Sequence, residues 1–64
     1  MRWTDTYDIV DGLIEWHPDV DPLTVRFTDL LAWVMALPGF DDKEENCSER
    51  ILESIQMTWI DERD

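Results

Sequence analysis

The chain is poor in the residues that most often announce chemistry. Its 64 residues include one cysteine, Cys47, one histidine, His17, and two glycines, Gly12 and Gly39. A single cysteine excludes an intramolecular disulfide and any cysteine-rich metal or cluster site. It fits a reducing compartment, so the cytoplasm is the expected location. Two scattered glycines cannot build a phosphate-binding loop. His17 stands just before Pro18, at an expected helix end, which suits a terminal or surface role better than general-base catalysis. Cys47 has no histidine in its local sequence, and its place near an expected helix start favours a lowered pKa without making it a catalyst. With no nucleophile, base and orienting partner in sight, no catalytic residue is assigned and a non-enzymatic protein is expected.

Cations and long apolar runs are also scarce. Five Lys and Arg face sixteen Asp and Glu, for a net charge of −11. Such a chain is repelled by phosphate backbones and anionic lipid, which argues against nucleic-acid and membrane partners. No apolar run approaches the roughly 20 residues of a membrane-spanning helix. The N-terminal Met1-Arg2-Trp3-Thr4-Asp5 lacks the basic-then-apolar layout of a signal peptide. The natural partners are therefore cationic: a basic protein patch or a metal ion. The alternative is an acidic surface that serves solubility alone. The same charge favours a monomer at low salt.

What the chain does have is aromatic bulk. Four tryptophans, two phenylalanines and one tyrosine offset the small size of a chain in which folding buries only roughly 60% of the unfolded surface. One domain, residues 1–64, is expected, with Trp3, Trp16, Trp33 and Trp59 in its core.

Three helices are legible. Thr4-Asp5 reads as the start of the first, with Asp5 and Asp8 placed where the helix dipole favours acids. Ile9, Leu13 and Trp16 share one stripe, flanked by Val10 and Ile14, while Asp8, Asp11 and Glu15 cluster opposite. Pro18 stops this helix near His17. Gly12 weakens it by roughly 1 kcal/mol relative to alanine.

Asp21-Pro22 opens a short helical turn, and Thr24-Val25-Arg26-Phe27 reads as a buried, irregular connector. Thr28-Asp29 caps a second helix carrying Leu30, Trp33, Val34 and Leu37, with Leu31 and Met35 on its flank and Pro38-Gly39 as its breaker. Phe40 is expected to fold back over the core. Asp41 to Asn46 reads as a solvated loop. The third helix begins with an Asn46–Glu49 capping box, or with Ser48 as the rival cap. It presents Ile51, Leu52, Ile55, Trp59 and Ile60 inward, with Glu53, Met57 and Asp61 outward, and frays over Asp61 to Asp64. The fold class is all-α, a small three-helix domain. A short winged-helix-like strand at the Thr24–Phe27 connector is a variation that the β-branched run allows.

Of the acidic clusters, the first helix offers the sharper site. Spacings of three and four residues place Asp8, Asp11 and Glu15 on successive turns, where two or three carboxylates can share one hard cation such as Fe²⁺, Mn²⁺, Ca²⁺ or Mg²⁺. Binding would be weak and unselective. No Asp-x-Asp-x-Asp-Gly loop is present, and a merely solvated face is the plainer alternative. The second cluster, Asp41, Asp42, Glu44 and Glu45, lies on a loop that would lose more conformational entropy on closing round an ion. Arg26, a lone cation between Val25 and Phe27, reads as an internal salt-bridge partner of Asp29 or Asp21, with a direct partner contact as the alternative.

The string PDVDP followed by TVRFTDLLAWV resembles the IscX family, the small acidic proteins of bacterial iron-sulfur cluster assembly. The likeness extends to Trp3-Thr4-Asp5, to Phe40-Asp41-Asp42 and to ILESIQMTWIDE, and so covers nearly the whole chain. Two departures stand out: Leu31 occupies a position where the family often has histidine, and Cys47-Ser48-Glu49 replaces a Ser-Asn-Glu string. A role tied to that histidine does not carry over.

The resemblance implies a non-enzymatic adaptor and regulator that docks on a basic patch of the cysteine desulfurase IscS, in competition with frataxin or ferredoxin, and binds Fe²⁺ weakly. Asp8, Asp11 and Glu15 are then the expected metal and partner residues. Asp5, Arg26, Asp29, Asp41, Asp42, Asp61 and Glu62 complete the expected partner surface. Two alternatives are a dedicated iron donor and a generic acidic interaction module without metal.

Overall fold

In the computed structural model, which describes residues 1–63, three α-helices run in the order α1 (Thr6–Trp16), α2 (Phe27–Met35) and α3 (Glu49–Arg63). Single 3₁₀ turns, Pro22–Thr24 and Glu44–Asn46, interrupt the two connectors. The longest helix, α3, lays Leu52, Ile55 and Trp59 against Ile9, Val10 and Leu13 of α1, and this is the most extensive helix pair. Leu30 and Val34 of α2, with Leu37 beyond its end, close the third side. Trp3 seals the core from the N-terminal segment at 2% exposure, while Ile14, Leu31, Ile51 and Cys47 form a half-buried rim. The folded chain exposes 4427 Å², so roughly 60% of the extended chain's surface is buried, as expected for this size.

Local signals explain most boundaries. The Asp21 carboxylate accepts from the Leu23 amide at 3.0 Å and so caps the Pro22–Thr24 turn. The Gln56 amide donates to the Pro22 carbonyl at 2.7 Å, which fastens that turn to α3. Beyond α2 the chain turns through Gly39, whose φ of 80° is a conformation that a Cβ disfavours. Gly12 has a different reason. A Cβ built there would lie 3.1 and 3.2 Å from the two Leu37 methyl groups, so the missing side chain is what lets Leu37 settle onto α1.

Several expectations fail in instructive ways. No strand is present among the described residues: Thr24 closes the 3₁₀ turn and Phe27 opens α2. Only Val25 and Arg26 remain extended between them, with no neighbouring strand to pair with. Thr28 and Asp29 do not cap α2. The helix begins two residues earlier than a Thr28 cap would place it, with Arg26 at the capping position and no side-chain cap, because half-buried Phe27 is already drawn onto the core. The α2 helix ends at Met35 rather than Leu37, which is reached by a further turn bonded to the Val34 carbonyl.

At α3 the rival cap holds: the Ser48 hydroxyl accepts from the Ile51 amide at 3.3 Å, while the Asn46 amide donates to Asp42 instead. The tail is helical through Arg63, whose guanidinium meets Asp21 at 3.4 Å; Asp64 lies outside the described residues.

The four tryptophans divide. Trp3 and Trp59 are buried, and Trp33 is half-buried with its ring stacked on His17 at a centroid distance of 4.3 Å. Trp16 is 59% exposed. It is the last residue of α1 and lies at the edge of the apolar stripe, so its ring leaves the core rather than covering it.

The acidic groove beside the first helix

Asp8, Asp11 and Glu15 lie where a helical repeat places them, on the face of α1 opposite Leu13. All three are exposed, and they border an open surface groove. Its remaining lining comes from Met1, Gly12, Trp16, Leu37 and Pro38. Gly12 is central to this shape, because its bare backbone lets Leu37 approach and brings Pro38 alongside the carboxylate row. The groove therefore joins an acidic rim to an apolar wall. Among the described residues, no group of three or more His, Cys, Asp or Glu is gathered closely enough to hold a metal ion as the side chains stand.

The other expected partner residues are dispersed. Asp5 takes the capping position of α1 without capping it; its carboxylate turns back to the Arg2 amide at 2.8 Å. Asp29 is exposed in the first turn of α2, and Asp61 and Glu62 are exposed near the end of α3. Arg26 is exposed and makes no ion pair among the described residues. The internal bridge expected for it, to Asp29 or Asp21, does not form: Asp29 is exposed and unpaired with it, and Asp21 is engaged by the Leu23 amide and by Arg63.

The segment Asp41 to Asn46 is more than a solvated loop. Asp42 accepts hydrogen bonds from the Trp3 amide at 3.1 Å, the Lys43 amide at 2.7 Å and the Asn46 side chain at 2.8 Å. The Asn46 bond foremost, and then the two backbone donors, hold its carboxyl below the usual aspartate range. The Lys43 carbonyl accepts from the Trp3 indole at 2.8 Å, and the Asp41 amide donates to the Met1 carbonyl at 2.7 Å. Asp41 offers an exposed carboxylate, but Asp42 is spent on tying the N-terminal segment to the Glu44–Asn46 turn.

Cys47 and Leu31 sit at the rim of the core. Both are half-buried against the core. The Cys47 thiol is pushed up in pKa, chiefly by burial, so the lowered value expected from its sequence position does not hold. Trp16 is the groove residue that periodicity missed. Its position at the last turn before His17-Pro18, where the helix stops and cover ends, was the available signal.

Over residues 1–64 the sequence matches the profile of the family described as iron-sulphur cluster assembly. It is also 47% identical, over its full length, to an uncharacterized protein of Pseudomonas aeruginosa, 97% of which is covered. With the acidic α1 face, the all-α core and a full-length match in view, the chain belongs to the iron-sulphur cluster assembly family, the IscX family.

Proposed function

We propose that the protein is a non-enzymatic adaptor and regulator of iron-sulphur cluster assembly. In this reading its acidic surface docks on a basic patch of the cysteine desulfurase, in competition with frataxin or ferredoxin, and Fe²⁺ is a weakly held ligand of the same surface. The observation that carries it is the exposed row Asp8, Asp11 and Glu15 beside an open groove, on a chain of net charge −11. Opposite charge steers encounter and makes the complex salt-sensitive, with screening beyond roughly 8 Å at physiological ionic strength. Exposed carboxylates of this kind are hard oxygen donors suited to Fe²⁺, and their separation on a rigid helix fits weak binding rather than a closed cage. The desulfurase reading therefore ranks above that of a dedicated iron donor.

The test is calorimetric titration of the protein into its own organism's cysteine desulfurase at low and physiological salt, with and without Fe²⁺. Saturable binding that weakens with salt is the expected result, and a change with iron would couple metal to docking. Absence of binding under every condition would overturn the adaptor reading.

A further inference from the structure

The row of carboxylates on α1 does not stand alone. Trp16, 59% exposed, shares the groove with Asp8, Asp11 and Glu15, and Leu37 and Pro38 form its other side. Most of this ring lies in solvent, outside the buried core, and an exposed amphipathic face of this kind is the surface that protein interfaces use for anchors. We infer that this groove receives an arginine side chain from the basic segment of a protein partner, with the guanidinium stacked on the Trp16 indole and its N–H groups turned to the α1 carboxylates. The inference rests on the docking reading above and deepens it by naming the side chain recognised and the residue that selects it.

Arginine fits this combination better than the other cations. A guanidinium is planar and weakly hydrated, so its face can lie on an indole while its edge donates to carboxylates. A lysine ammonium is a compact, strongly hydrated charge that an exposed carboxylate row attracts without needing an aromatic neighbour. A purely apolar occupant would use Trp16, Leu37 and Pro38 but leave the acidic rim unpaired. Trp16 is thus the selecting element, and the carboxylates supply attraction.

The test compares wild type with Trp16→Phe, Trp16→Leu and Trp16→Ala by calorimetric titration into the cysteine desulfurase at low salt. Because Trp16 lies outside the core, all three should keep the wild-type helical circular dichroism. Stacking on the ring predicts that the phenylalanine variant binds within about threefold of wild type, while leucine and alanine lose about tenfold. Equal binding by all four proteins would overturn the inference and leave the docking reading intact. Binding retained by leucine would show an apolar contact and overturn it too, as would a loss with phenylalanine as large as with alanine. Failure of wild type itself to bind would bring down the docking reading and this inference together.

Discussion

The indole nitrogen of Trp3 donates to the carbonyl of Lys43 at 2.8 Å, across a sequence separation of forty residues. The ring that makes this bond is buried and meets Phe40 edge-to-face at 4.8 Å. Trp3→Phe should keep most of the apolar contact and leave the Lys43 carbonyl without this partner. The expected cost is about 1–3 kcal/mol in urea unfolding. Each kcal/mol corresponds to roughly 4–8 °C in midpoint for a domain of this size. An unchanged midpoint would mean that water replaces the indole at no cost.

Asp42 gives stability a pH dependence whose sign follows from its partners. Its folded-state pKa is depressed, so its contribution is complete above the unfolded value, about 3.9, and is lost as pH falls through the lower folded value. Asp42→Asn should therefore unfold with a shallower dependence on pH in that acid range than wild type, and should be less stable at neutral pH. Parallel acid limbs for the two proteins in denaturant midpoint against pH would contradict this account.

Gly12 and Leu37 should be energetically coupled. In wild type the helix preference of alanine, roughly 1 kcal/mol over glycine, is opposed by contacts of 3.1 and 3.2 Å with the leucine methyls. Gly12→Ala alone should change stability little. In a Leu37→Ala background the same change should stabilise by about 1 kcal/mol. A double-mutant cycle in urea measures the difference, and strict additivity would show that leucine is not what keeps the glycine.

Cys47 should be a slow thiol. Burial raises its pKa, which lowers the thiolate fraction at neutral pH. Alkylation by iodoacetamide at pH 7 should run slower than for a free cysteine, and denaturant should restore the ordinary rate. Equal rates in folded and unfolded protein would remove burial as the control.

Much of this fold could be read from periodicity. Leu13, Leu30, Val34, Leu52, Ile55 and Trp59 repeat at helical spacing and are buried, and Pro18, Asp21 and Gly39 sit where local backbone chemistry requires them. What periodicity misjudged depends on contacts distant in sequence. Nothing near Asp42 announces that its carboxylate holds the Trp3 amide, 39 residues away. A hydrophobic wheel also cannot tell that cover stops before Trp16. The acidic side of the candidate site was legible because Asp8, Asp11 and Glu15 repeat along one helix. Its apolar side, Leu37 and Pro38, reaches the groove only through tertiary packing.

The principal helix pair joins the first element of the chain to the last, with Trp59 of α3 fully committed to the core. During synthesis, α1 and α2 must then leave the ribosome with no partner for most of their apolar surface. The domain can acquire its structure only after α3 emerges, so it folds as one late event rather than stepwise behind the growing chain.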